Sequence, residues 1–298
     1  MKFRYIITVL TLSFLSLTAC TSAEEKAKIA AEEKKIRTKE DDAADRLLLT
    51  YDPKKGDQWI ANFVQNLHKK SGFNGNVLVA KKGKILYQKA IGWADYLHRD
   101  SLKINSEFEV ASVTKTFTGV AILQLVEAGK LKLTDNVKKF YPNFPYENIT
   151  VKLLLTHRSG MMNYVYFIDD IWRKEKRNQK KGVSNQEVMN IIAERKPRPY
   201  TKPDNIFHYN NSNYMVLGAI IEKVTGKTYA QYMMENVFKP AGMKNTHVYS
   251  TTAFPKVPVD VVGHDRTWRY SVVQNFLDGP VGDKGIYSTV HDLSLIHI

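Results

Sequence analysis

Two short β-type runs followed by a long helical middle constrain this chain more than any other feature. Residues 76–80 and 85–90 are apolar runs set either side of Lys81-Lys82-Gly83-Lys84, the composition of a hairpin. Before them, Trp59, Ile60, Phe63, Val64 and Leu67 fall on one face of a helix. After them comes a strongly apolar helix over 113–128, with Gly129 placed to end it. Helical patterns recur at 151–156, at 185–195 behind the capping box Ser184-x-x-Glu187, and at 213–225 closed by Gly226. Another runs from Thr228 to Phe238, stopped by Pro240 and Gly242. Strands first and helices afterwards predict an α/β (α+β) domain in which a helical lobe is inserted into a sheet domain. No repeat occurs at solenoid or propeller periods.

The N-terminus reads as an export signal. Lys2 and Arg4 precede an apolar run from Ile6 to Leu17, too short for a permanent membrane span. The run ends in Leu17-Thr18-Ala19-Cys20, which resembles the bacterial lipobox, so residues 1–20 are expected to be a lipoprotein signal with lipid attached at Cys20. Cys20 is the single cysteine of the chain, which excludes an internal disulfide. Residues 21–56 are small and charged, a tether between lipid and a folded domain over 57–298. The expected location is the bacterial cell envelope, periplasmic or surface-facing. A net charge of +14 favours anionic surroundings such as wall polymers, acidic headgroups or acidic substrates. No nucleic-acid motif accompanies that charge, and export removes nucleic acid as a partner. The basic cluster at 173–181 reads as a solvated loop or helix face.

Several chemistries are excluded. One cysteine leaves no thiolate zinc site and no CxxC pair, HExxH is absent, and no cofactor or metal is expected. Gly226-Lys227-Thr228 imitates the end of a phosphate loop but lacks the earlier glycine, and no GxSxG elbow exists. What stands out is Ala111-Ser112-Val113-Thr114-Lys115, the chain's one Ser-x-x-Lys, placed where a loop turns into the apolar helix. Spacing of three puts both side chains on one helical face. The first helical turn also offers free N–H groups and a positive dipole end, which favour an oxyanion.

The surroundings of that motif, Phe108-Glu109-Val110-Ala111-Ser112-Val113-Thr114-Lys115-Thr116-Phe117-Thr118 and then Leu125-Val126-Glu127-Ala128-Gly129, resemble the penicillin-binding-protein and serine β-lactamase superfamily, in its class C-like branch. Downstream, Leu153-Leu154-Leu155-Thr156-His157-Arg158-Ser159-Gly160-Met161, Tyr209-Asn210-Asn211, Pro240-Ala241-Gly242-Met243 and Gly285-Ile286-Tyr287-Ser288-Thr289 follow in family order. The resemblance covers residues 57–293. It implies a β-lactamase/transpeptidase-like fold: an antiparallel sheet with flanking helices and the inserted lobe. It implies a serine hydrolase working by acyl-enzyme, with Ser112 as nucleophile, Lys115 as its partner and Tyr209 as base. Asn211 would orient Lys115 and hydrogen-bond the substrate amide, and the Ser112 N–H would supply half of an oxyanion hole. His157 is expected to be a structural loop residue, and His264 has no assigned role.

A serine hydroxyl needs a base beside it. Lysine and tyrosine side chains ordinarily titrate at about 10.4 and about 10, so neither is basic alone at neutral pH. Together, the cation lowers the cost of the phenolate, and their coupled titration leaves open which of the two takes the proton. The family's Lys-Thr-Gly or His-x-Gly element is not reached before Ile298. The expectation is therefore a domain lacking its C-terminal strands and, as given, inactive. The substrate is expected to be a small molecule or peptidoglycan-like: an ester, an amide, or a peptide ending in D-amino acids. The motifs do not choose among β-lactamase, DD-peptidase and esterase. A different class of reading is a non-catalytic lipoprotein that binds or senses wall fragments or β-lactams.

Overall fold

The computed structural model describes residues 58–178, 181–249, 261–265, 267–272 and 275–296. The expected signal segment, Cys20 and the expected tether lie outside these residues. The chain divides into two units: Met1–Gln58 with Ala80–Leu86, and Trp59–Val79 with Tyr87–Ile298. Of the first, little beyond the hairpin tip is described, and the second carries the architecture below. Among the described residues no helix is long and apolar enough to cross a membrane.

Helix α1 (Gln58–Ser71) forms where the apolar periodicity predicts it. Strands β1 (Gly75–Lys81) and β2 (Lys84–Ile91) then pair as the expected hairpin. Its turn uses Lys82 and Gly83, both at positive φ, which matches the twist of the two strands. Strands β3 (Trp93–Asp95) and β4 (Asp100–Ser101) make a second small antiparallel pair. Strand β5 (Phe108–Glu109) leads through a 3-10 turn, Ala111–Val113, into α2 (Thr114–Glu127).

The helical lobe comprises α3 (Val151–Leu155), α4 (Tyr164–Lys174) and α5 (Asn185–Arg195). Each begins on a polar side chain that satisfies an orphan backbone N–H: Thr150 on Leu153, Asn163 on Val165, and Ser184 on Glu187 within the expected capping box. The sequence reading contained no helix α4. Its signal is Tyr164, Ile168 and Trp172, four apart and all buried. The basic cluster lies partly on this helix, where Arg173 and Lys174 pair with Asp169 and Asp170 one turn earlier, a solvated face as expected.

Helix α6 (Asn211–Thr225) is central: α2, α3, α4, α5 and α7 (Tyr229–Met233) all contact it. Met215 to Ile221 are buried without interruption, as a helix covered on every side requires. The Gly226-Lys227-Thr228 segment serves as punctuation. Gly226 caps α6 at φ +68, and Thr228 opens a capping box with Gln231 for α7, which continues into a π turn at Met234–Phe238.

Strands β6 (His247–Val248) and β9 (Ile286–Ser288) join β5 in a three-stranded antiparallel sheet in the order β5-β9-β6. Strands β7 (Gly263–His264) and β8 (Ser271–Val272) pair separately, and α8 (Val290–Leu295) follows β9. The sheet expected from the sequence is thus antiparallel strands distributed over small sheets. The pairing of β9 with β5 holds residues 281–286 against the start of α2, which positions the site.

Candidate active site

Ser112 lies in the 3-10 turn that opens α2, preceded by Ala111 at φ +45, a conformation that costs an L-residue roughly 1–2 kcal/mol. One turn on, Lys115 is buried, with 7% of its surface exposed. Its Nζ donates to Ser112 Oγ at 3.2 Å and to the backbone carbonyl of Asp283 at 2.8 Å. The 281–286 segment is tied to α2 at two further points. Thr118 Oγ1 donates to the Gly282 carbonyl at 2.7 Å, and the Ile286 N–H donates to Thr114 Oγ1 at 3.3 Å. Gly282 has φ +105, and a Cβ there would sit 2.4 Å from the Tyr214 carbonyl, so only glycine lets this segment approach α6.

Tyr209 arrives from a separate loop. Residues 200–208 run along 157–160, with N–H groups of Tyr200, Asp204 and His208 donating to the carbonyls of Gly160, Arg158 and His157, each at 2.8 Å. A Cβ on Gly160 would fall 2.2 Å from the Thr201 carbonyl, so this approach also requires glycine. Arg158 and Asp204 pair across the same contact at 2.6 Å. The result delivers the Tyr209 hydroxyl to Ser112 Oγ, to which it donates at 2.8 Å. Lys115 Nζ lies 5.0 Å from the centre of the Tyr209 ring. Ser112 Oγ is therefore contacted by both groups able to take or relay its proton.

His157 supports this arrangement from behind the ring. Its centroid is 4.6 Å from that of Tyr209 and 5.1 Å from that of Tyr214. Its Nδ1 accepts from the Asn210 N–H at 3.2 Å and lies 3.0 Å from Asn213 Nδ2, which assigns the ring proton to Nε2. Burial, and then the Lys115 cation, push His157 down to about 4. It is a neutral structural residue at physiological pH, in line with the sequence expectation.

Asn211 begins α6 next to Tyr209, but its Oδ1 is buried and accepts no hydrogen bond. Lys115 is held by the Asp283 carbonyl and not by Asn211. His264 sits far along the chain with Trp268 and Tyr96, its Nε2 3.6 Å from Asp95. Asp283 escaped the sequence reading, since nothing local ties it to a lysine 168 positions earlier. The one available signal was its place between Gly282 and Gly285, just before the recognised Gly285-Ile286-Tyr287-Ser288 run. A cavity of about 710 Å³ is lined by Tyr146, Ile149, Ser159, Arg198 and Lys202 among others, and none of Ser112, Lys115 or Tyr209 lines it.

The chain is similar to several known proteins. A penicillin-binding protein of Bacillus subtilis is 36% identical over 197 residues, covering 66% of this chain and 43% of that protein. Protein flp of Staphylococcus aureus is 33% identical over 196 residues, covering 64% of this chain and 37% of flp. The matched region thus spans less than half the length of these relatives. The crystal structure of a penicillin-binding protein from Bacillus halodurans superposes with a TM-score of 0.66 at 28% identity, over 78% of this chain and 70% of that one. A class C beta-lactamase mutant gives a TM-score of 0.64 at 22% identity over 83% and 65% of the two chains, a likeness of fold. The beta-lactamase family model matches residues 58–296, and the chain belongs to that family of serine hydrolases and penicillin-binding proteins, with its mixed helices and antiparallel strands.

Proposed function

We propose that the full-length protein hydrolyses a carbonyl substrate through an acyl-enzyme on Ser112. The observation that carries the reading is the double contact at Ser112 Oγ, with Tyr209 OH at 2.8 Å and Lys115 Nζ at 3.2 Å. In the first step Ser112 Oγ attacks the carbonyl carbon while its proton passes to Tyr209, reacting as phenolate beside the Lys115 cation. The C–O or C–N bond then breaks, and the leaving group departs with that proton. In the second step water, deprotonated by the same group, cleaves the acyl-serine ester and restores Ser112. The Ser112 N–H, at the first turn of a helix, offers one oxyanion donor. Asn211, whose buried Oδ1 has no partner in the free protein, would accept an N–H from a bound amide.

The substrate class is an ester, an amide or a peptide ending in D-amino acids. The penicillin-binding proteins among the relatives support an envelope role, reached through a lipid on Cys20. The test uses the full-length protein and a fluorescent phosphonate or penicillin. Ser112→Ala should abolish covalent labelling while the fold, followed by its melting transition, stays intact. Labelling that persists in the alanine variant removes Ser112 from the mechanism. Release of the acyl group then sorts the activities: fast deacylation of a β-lactam marks a β-lactamase, and slow deacylation a penicillin-binding protein. Labelling of Ser112 without turnover of any ester or D-amino-acid peptide marks a sensor.

A further inference from the structure

A buried ammonium without a counter-charge is costly, and Lys115 is buried. Among the described residues its immediate surroundings carry no formal negative charge: the Ser112 hydroxyl, the Tyr209 and Tyr214 rings, and neutral His157. The segment that accepts its second hydrogen bond does carry one. Asp283 presents its backbone carbonyl to Lys115, and its side chain is itself 1% exposed. The Asp283 carboxylate accepts from the Tyr164 hydroxyl at 3.1 and 3.3 Å, and Lys284 Nζ lies 3.9 Å from it. Lys284 also donates to the Tyr164 hydroxyl at 2.6 Å, so the 281–286 segment and α4 meet on this carboxylate, while Lys115 of α2 is held at the carbonyl of the same residue.

The other titratable groups that feel it are Glu109 on β5 and the buried Tyr229 of α7, while Asp278 acts on its partner Tyr164. Burial pushes the Asp283 carboxyl up, while Lys284, Lys115 and Tyr164 pull it back. Loop 281–286 is rigidly seated through Gly282 and the bonds to Thr114 and Thr118, so carbonyl and carboxylate are delivered together.

We infer that Asp283 is a positioning residue for Lys115: its carbonyl fixes the ammonium beside Ser112, and its buried carboxylate, held by Tyr164 and shared with Lys284, supplies the counter-charge that keeps Lys115 cationic while Tyr209 takes the Ser112 proton. The inference rests on the acyl-enzyme reading above. It assigns Asp283 no contact with substrate, only an effect on the charge and aim of Lys115.

Asp283→Asn in the full-length protein keeps the side-chain shape and removes the charge. The expected result is a roughly 10- to 100-fold loss in kcat with KM little changed, and an alkaline limb of the kcat/KM profile moved down by about one pH unit. Lys284→Met provides the opposite arm: removing the competing cation should move the alkaline limb upward. Opposed shifts in two neighbouring variants are not what a packing defect produces. An unmoved limb in Asp283→Asn with wild-type kcat overturns the inference. Should that variant lose its cooperative melt, Lys284→Met decides, and an unmoved or lowered limb there overturns it. Absence of labelling and turnover in the wild type would instead sink the acyl-enzyme reading itself.

Discussion

Helices α1 and α6, 14 and 15 residues long, end in opposite environments. Along α1, Val64 is the one buried residue, while Trp59 and Phe63 are 71% and 50% exposed and stack on each other at 5.6 Å. Along α6, seven consecutive residues from Met215 to Ile221 are buried, because five other helices converge on it. Periodicity names the face a helix offers, but the number of elements that reach that face decides what it contributes. A fully buried Leu, Ile or Met side chain is worth about 1.5–3 kcal/mol, so α6 anchors the domain. The chemistry is attached to the anchored parts. Ser112 and Lys115 sit at the start of α2, and Tyr209 lies two residues before α6 begins. Groups that must hold a 2.8 Å contact across 97 positions gain from helices that do not move.

The largest effect that would break this comparison is on rate. Tyr209→Phe removes one hydroxyl from a half-exposed side chain, so kcat/KM should fall by about 10²- to 10⁴-fold with an unchanged melting temperature. A large loss of stability in that variant would show that the site and the core are not separable. Next comes the core itself. Phe117→Ala or Ile220→Ala, at fully buried positions of α2 and α6, should each cost about 2–5 kcal/mol in denaturant unfolding. Trp59→Ala on α1 should change stability by less than about 0.5 kcal/mol. A cost for Trp59→Ala similar to the core values would mean that the face of α1 is covered in the folded protein.

A smaller effect depends on pH. His157 is held down to about 4 in the folded state, below the histidine value of about 6.5 in an unfolded chain. For a base so shifted the unfolded state binds the extra proton. Stability from this residue is therefore complete above about pH 6.5 and is lost as pH falls toward 4, by up to about 1.4 kcal/mol per pH unit. His157→Gln should flatten the acid side of the stability profile by one proton. An unchanged slope would place the titration elsewhere. The smallest effect is at Ala111. Glycine there relieves the positive φ but restores freedom to the unfolded chain, so the two terms partly cancel and Ala111→Gly should stabilise by only about 1 kcal/mol.

Legibility followed the range of the interaction. The hairpin turn at Lys82-Gly83, the Ser184–Glu187 capping box and the glycine that ends α6 were readable because each is settled within a few residues. Helix α4 is absent from the sequence expectations although Tyr164, Ile168 and Trp172 keep helical spacing, since three buried positions interleaved with Asp169, Asp170 and the basic run beside them make a short apolar signal. In the site, Ser112 and Lys115 were legible as a pair because three positions on a helix place two side chains together whatever the rest of the chain does. Tyr209 was legible through its family resemblance alone, and the role of the Asp283 carbonyl was not legible at all.

The sequence by itself determined the local pieces: where helices begin and end, which face of each is apolar, and that a serine and a lysine share one turn. Tertiary structure alone decided that Tyr209 reaches Ser112, that Lys115 bonds the Asp283 carbonyl and leaves Asn211 Oδ1 without a partner, and that α6 is enclosed while α1 keeps its aromatic face in solvent. The physical reason is that a contact within one helical turn is fixed by backbone geometry. A contact across a hundred residues exists only after many apolar faces have chosen partners, and here that choice turns on close approaches at Gly160 and Gly282 that no local pattern records.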